Sequence, residues 1–440
     1  MPPRAWVTDS RWVLLGRASA LLSALTLNAT LARLLPAPLL GNYFLWASAA
    51  AALGLLASLG LGPIALRHVA VSRRTGRSVE ASGIARAALA WGIRGALGAS
   101  TAFLAAAALF TGEAYAAAAT ACWIASLVVS GLVADLLRGF RDLRAAALMS
   151  EVLGGWLGLA AIWGLRALRP SLPVSGAIAA LAFGIAGASV YGRFALGRHL
   201  TPAPPAPSPF SWWWSESRAV WLNTTLWLVL GQADLWVLAA FRPRAEVAVY
   251  GLASRFAILL LQPDTMARTL LMPRAAALHA SGDIAGLQRL VRGAATITTG
   301  VASAGAVGLA LGGAWVLALL FGASYEACLP LTLILACGYV ANAFAGLAAT
   351  TLLMTGYQSR VLRMSLIGGA VTLVLLFALI PAFGARGAAS AVAIGLIVQN
   401  ALMVALARRT LGIWTFASAR PSEWRALWVS LRAPAPGAGA

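Results

Sequence analysis

Seven ionisable side chains, Arg17, Arg94, Glu151, Asp234, Arg255, Asp264 and Arg268, sit inside stretches of sequence that are otherwise apolar. A charge in such a setting costs several kcal/mol unless it faces a partner or a water-filled cavity. These residues are therefore the first candidates for chemistry. Asp264 and Arg268 stand four apart, in the order that favours a pair along one helix, which reads as neutralisation. Arg17, Arg94 and Glu151 lie within a few turns of one end of their stretches. From there an arginine can reach headgroups or line a cavity. Asp234 and Arg255 fall about ten or eleven positions either side of a turn near Pro243–Arg244, so at 1.5 Å per residue both reach ~15 Å below it. They can pair across neighbouring helices, or share a cavity in which Arg255 meets an anion and Asp234 is its counter-ion. Gln262-Pro263 frees a backbone carbonyl and predicts a kink beside them.

Other chemistry finds little support. His68, His199 and His279 are widely separated, and neither an HExxH nor a DxD-type cluster exists. All 33 basic residues are arginine, so no phosphate-binding loop with its lysine is present. Cys122, Cys328 and Cys337 have neither metal nor redox spacing. The expectation is a protein that is not an enzyme and holds no metal or cofactor, with an H+ or Na+ gradient as its possible energy source.

The elements that must position the seven charges are membrane spans. Hydrophobic residues make up 60% of the 440 and charged residues 10%, and a bilayer core needs ~20 apolar residues per helix. Spans are predicted at 12–35, 40–62, 87–110, 114–137, 145–168 and 174–197, then at 215–241, 247–272, 293–320, 329–354, 361–381 and 387–407. Alternate loops are rich in arginine. The loop after span two holds Arg67, Arg73, Arg74, Arg77 and Arg86, and the loop after span four holds Arg138, Arg141 and Arg144. The opposite loops are short and poor in charge, those at 166–173 and 241–246 being mild exceptions. This bias places both termini in the cytoplasm of a multi-pass inner-membrane protein. It also accounts for the net charge of +20 without invoking nucleic acid. Arg4 and Arg11 lead straight into span one, which serves as its own insertion signal. Trp212, Trp213 and Trp214 read as headgroup anchors. EWRALWVSLR near the C-terminus reads as an amphipathic helix on the cytoplasmic face, followed by a disordered tail.

A Pro-rich stretch at 199–211 divides the spans six and six. The expected organisation is an N-terminal lobe at 1–198, a linker at 199–214, a C-terminal lobe at 215–412 and a cytoplasmic tail at 413–440. Pro36 and Tyr43 after span one recur at the same offset as Pro243 and Tyr250 after span seven. Parallel halves predict this, and repeated halves are a common plan among secondary transporters.

Residues 28–70 resemble the opening of polysaccharide-export flippases, "L-A-R-x-L-x-P-x-x-x-G-x-Y" followed by "L-G-L-x-x-x-x-x-R". The match uses Leu31, Ala32, Arg33, Leu35, Pro36, Gly41, Tyr43, Leu59, Gly60, Leu61 and Arg67. The second half is similar at Asp234, at Tyr250, Ala253 and Arg255 ("Y-x-x-A-x-R"), at Pro273, and at Pro381-Ala382-Phe383-Gly384-Ala385. The resemblance, over nearly all of 12–412, is to the O-antigen-type oligosaccharide flippases of the multidrug/oligosaccharidyl-lipid/polysaccharide (MOP) exporter superfamily. It implies two six-helix lobes related by a pseudo-two-fold around a central cavity. It implies translocation of undecaprenyl-pyrophosphate-linked oligosaccharide by alternating access, beside a polysaccharide polymerase and glycosyltransferases. Members that flip the wall precursor typically have fourteen spans, so twelve favour a surface-polysaccharide unit. On this reading Arg17, Arg94 and Arg255 supply a positive field, and Asp234 or Asp264 carries the coupling ion. The alternatives are a cation- or proton-coupled drug antiporter, marked by a carboxylate-rich cavity, and a membrane-embedded polymerase or ligase, marked by a long external loop.

Overall fold

The computed structural model describes residues 3–110, 112–169, 171–202 and 210–418. Among these residues there are helices and no strand. Hydrocarbon offers no hydrogen bonds, so a chain this apolar closes its backbone bonds within helices.

The helices are α1 Pro3–Leu34, α2 Ala37–Ala57, α3 Leu61–Arg74, α4 Ser78–Phe110, α5 Ala114–Gly139, α6 Leu143–Ala147, α7 Gly154–Leu168 and α8 Val174–Gly197. They continue as α9 Phe210–Phe241, α10 Arg244–Ala257, α11 Gln262–Ala280, α12 Ile284–Phe321, α13 Cys328–Ala345, α14 Ala348–Met354 and α15 Gln358–Leu411. Ten helical stretches of the described residues are long and apolar enough to cross a membrane. The sequence predicts twelve spans. The difference lies in α1, which covers span one but is not among the ten, and in α15, whose 54 residues contain both of the last two. Within α15, Gly384 has φ 57 and ψ −134, a region essentially closed to other residues. Arg242 Nη2 donates to Pro381 O at 2.8 Å, and Ala385 N donates to Glu246 Oε1 at 2.6 Å, so the break is clamped from the α9–α10 turn.

Two other spans are more broken than the sequence predicts. Span two stops at Ala57, because Leu59 and Gly60 turn left-handed (φ 51 and 68). The arginine-rich loop that follows is largely the helix α3. Span ten parts at Gly346 (φ 73) into α13 and α14. The kink predicted at Gln262-Pro263 is present as a 3-10 turn over Ile258–Leu261, ahead of α11.

The chain divides into two compact units, 1–232 and 233–440. In the first, residues of α3, α4 and α5 such as Ile64, Leu89, Leu132 and Leu136 form a core that also takes in Met149 and Trp213. Trp213 is fully buried, so it is a core residue and not the headgroup anchor expected. Neighbouring contacts explain this. Glu216 accepts from Arg67 at 2.9 Å, and the Trp212 ring lies 5.1 Å from His68, which ties the start of α9 to α3. The head of the Pro-rich stretch is held by His199, whose Nε2 is 2.9 Å from Asp142 Oδ2, and by Arg86 donating to Thr201 O. The units accordingly part inside α9.

In the second unit α13 packs on α10, α12 and α15. A strap over 412–418 crosses its end, with Thr415 Oγ1 donating to Ala345 O, Ala417 N to Phe344 O and Ser418 N to Thr296 Oγ1. The predicted amphipathic segment and tail lie outside the described residues. Pro36 and Pro243 both precede the second helix of their half with matching backbone, φ −54 ψ 147 and φ −59 ψ 150.

Candidate functional site

Asp234 lies two turns before the end of α9. Its Oδ2 accepts from the Tyr250 hydroxyl at 2.6 Å, and its Oδ1 accepts from Leu235 N at 2.8 Å. Tyr250 is fully buried on α10. The turn between these helices is centred at Arg242–Pro243, not at Pro243–Arg244, so Tyr250 stands level with Asp234 and Arg255 lies roughly a turn deeper. Arg255 forms no ion pair within 4 Å among the described residues. Its side chain is exposed. Of the two arrangements open from sequence, the direct Asp234–Arg255 pair is not formed. The motif Tyr has a clear task instead, which is to hold the carboxylate.

A second cluster lies along α11 and α13. Asp264 is buried, and Arg268 Nε donates to its Oδ2 at 2.7 Å, as the i, i+4 spacing predicts. Arg268 Nη1 donates to Thr350 Oγ1 at 2.8 Å. Asn342 Nδ2 reaches the same Asp264 oxygen at 3.4 Å, and Asn400 Nδ2 donates to Asn342 Oδ1 at 3.1 Å. Asp264 Oδ1 has no hydrogen-bond partner among the described residues.

In the first unit the candidates stand apart. Arg94 is exposed on α4, its guanidinium 4.6 Å over the Trp91 ring, a cation–π contact that keeps a charge without an acid. Arg17 is partly buried on α1. Neither forms an ion pair among the described residues. Glu151 falls in a π-helical turn, Leu148–Leu153, against the Gly16 backbone; such turns recur at functional sites.

Two residues escape the sequence reading. Tyr250 appears there as a repeat and motif match, with no role assigned. Asp135 is missed because the predicted end of span four separates it from Arg138, its partner at 2.9 Å; the acid–x–x–arginine spacing was the available signal. Asp135 lines a cavity of about 420 Å³ with Gly54, Ser58, Gly62, Gly131 and Leu228. A Cβ on Gly62 would come within 2.2 Å of its Oδ2, so a larger residue there would push the Asp135 carboxylate aside.

Solved structures share this arrangement of helices. An inward-facing multidrug resistance transporter of the MATE family, MOP superfamily, matches with a TM-score of 0.74 and 17% identity, over 89% of this chain and 94% of that one. The chain has the MATE transporter fold. An outward-facing MATE structure matches with a TM-score of 0.68 and 18% identity over 92% and 95%. A MOP superfamily transporter from Pyrococcus furiosus, whose reverse polarity of binding pocket suggests a different function, matches at 0.67 and 18% over 92% and 95%. No protein-family model matches the chain, and no curated protein sequence matches it. In the second unit Arg255 forms no ion pair among the described residues, while Asp234 and Asp264 each have a donor.

Proposed function

We propose that the protein is a transporter of the cytoplasmic membrane that moves undecaprenyl-pyrophosphate-linked oligosaccharide by alternating access for surface-polysaccharide synthesis. The observation that carries this reading is Arg255, an exposed guanidinium that forms no ion pair among the described residues, about a turn deeper than an Asp234 whose oxygens accept from Tyr250 and Leu235 N. A guanidinium stays charged and binds phosphate oxygens two at a time. A pyrophosphate cannot cross hydrocarbon without such a partner. Asp264 is neutralised by Arg268 in an ion pair, whereas Asp234 has among the described residues only the neutral donors Tyr250 and Leu235 N, so Asp234 is the proposed coupling carboxylate for H+ or Na+.

The MATE neighbours favour a second reading, a cation- or proton-coupled drug antiporter. Its cargo requires free carboxylates, and Asp234 and one oxygen of Asp264 already have donors. The test is lipid extraction from a deletion strain alongside its surface glycan. Loss of the polymer with lipid-linked units accumulating at the inner face supports the proposal. Unchanged glycan with altered sensitivity to cationic drugs overturns it for the antiporter. Units that are flipped but unpolymerised point to a polymerase.

A further inference from the structure

The second unit has a groove of about 480 Å³ between α13 and the last third of α15. Ala341, Phe344, Ile397, Ala401 and Val404 form its walls. Its one uncharged polar side chain, Asn400, is already spent on Asn342 and Leu396 O. On α13, Asn342 faces Asp264 of α11; Ala341 and Phe344 lie ~100° and ~200° around the helix from it. The groove therefore lies on the flank of α13 turned away from α11, and Asn400 links it to the polar cluster. Phe344 and Ile397 are exposed there.

One end of the groove is charged. Arg408 and Arg409 stand at its mouth with Trp414 and Phe416. Arg408 donates to Gly412 O and lies 5.0 Å over the Trp414 ring. Neither arginine forms an ion pair among the described residues. The mouth is fixed in place: Trp414 N donates to Gln288 Oε1, Phe416 stacks on Phe344, and the strap bonds hold both ends of 414–418. From Ile397 to Arg408 the helix rises ~17 Å, close to one leaflet of a ~30 Å hydrocarbon core.

We propose that this groove seats an anionic phospholipid, one acyl chain between α13 and α15 and the phosphate on Arg408 and Arg409. Apolar walls exclude a soluble anion as the occupant, and two guanidiniums without an ion pair among the described residues disfavour a zwitterionic lipid. A tryptophan at the charged end matches the headgroup level. The arginine-rich ends of the spans face the cytoplasm on the charge bias, and that leaflet carries the anionic lipids. The proposal rests on the membrane fold and is independent of the cargo.

The test is native mass spectrometry of the full-length protein in detergent, titrated with phosphatidylglycerol, phosphatidylcholine of the same chains, and undecaprenyl phosphate. An arginine near an anionic headgroup is worth about fivefold in binding. Wild type should therefore retain phosphatidylglycerol over phosphatidylcholine by roughly 25-fold. Arg408→Gln with Arg409→Gln should bring the two near parity. Ala401→Trp, which fills the groove, should lower retention of both lipids. Ile397→Asn, which makes the wall polar without filling it, should do the same if Ala401→Trp does not give folded protein. No preference in wild type overturns the proposal. So does unchanged retention in both groove variants, which would reduce the effect to surface charge. Undecaprenyl phosphate displacing phosphatidylglycerol would assign the groove to the cargo instead.

Discussion

Replacing Arg268 by glutamine should be the most damaging single polar substitution in the second unit. Asp264 is 2% exposed, and Arg268 is its close partner at 2.7 Å. Without that guanidinium, Oδ2 retains Asn342 at 3.4 Å and Oδ1 has no donor among the described residues. Stripping one partner from a buried ion pair costs about 3–5 kcal/mol. Asp264→Asn should cost less, about 1.5–3 kcal/mol, because Arg268 keeps Thr350 and is 31% exposed, with a route to water. The double variant, Asp264→Asn with Arg268→Gln, leaves no buried charge and two amides in reach of each other. It should recover about 2 kcal/mol relative to Arg268→Gln alone, a coupling typical of residues in contact. Thermal denaturation in detergent, read with steady-state abundance in membranes, measures this. At roughly 2–4 °C per kcal/mol for a unit of this size, Arg268→Gln loses ~10 °C and the double variant only part of that. Arg268→Gln within ~3 °C of wild type, or a double variant as poor as the sum of the singles, would refute the reasoning.

Gly384→Ala should lose about 1–3 kcal/mol of stability and also displace Glu246, since a Cβ there would lie 2.1 Å from Oε1; Gly282→Ala, at positive φ with open space around it, should cost less in the same melting assay. Tyr250→Phe keeps the buried ring but removes the bond to Asp234, with an expected cost of about 1.5–3 kcal/mol for a bond to a charged group; a cycle with Asp234→Asn should show that the cost depends on the carboxylate. At Asp142, burial raises the carboxyl pKa, but the His199 hydrogen bond, the Ala145 N–H and the His199 and Arg144 charges outweigh it and hold the group below its usual range. A depressed folded-state pKa adds stability above the unfolded value of ~3.9, and that stability is lost as pH falls through the folded value. The penalty of Asp142→Asn, under about 1 kcal/mol for this partly exposed pair, should thus be present at neutral pH and vanish on acidification below ~3.9, as melting curves against pH would reveal.

Most of the span pattern was legible because hydrocarbon thickness fixes helix length, and apolar runs of that length have few other uses. What the pattern could not convey was where a span breaks. Leu59-Gly60, Gly346 and Gly384 interrupt helices in runs whose hydropathy is continuous, because the interruption is stabilised by distant partners such as Arg242 and Glu246. The Asp264–Arg268 pair was readable, since both residues lie on one helix. The Asp234 partner was not: a shift of one residue in the centre of the turn exchanges Tyr250 for Arg255. Trp213 was misread because composition alone cannot tell an aromatic residue at the headgroup level from one buried beneath α3, and Asp135 was hidden by a span boundary drawn between it and Arg138.

The central claim is that Arg255 receives a phosphate-bearing lipid. Its most direct measurement is translocation of undecaprenyl-pyrophosphate-linked oligosaccharide in proteoliposomes by wild type, Arg255→Lys and Arg255→Ala, each matched for amount and melting temperature. Loss of a charge-assisted contact of about 1.5–3 kcal/mol corresponds to ~10- to 100-fold in rate, so Arg255→Ala should fall by that much, with Arg255→Lys in between. Wild-type translocation by Arg255→Ala would contradict the account.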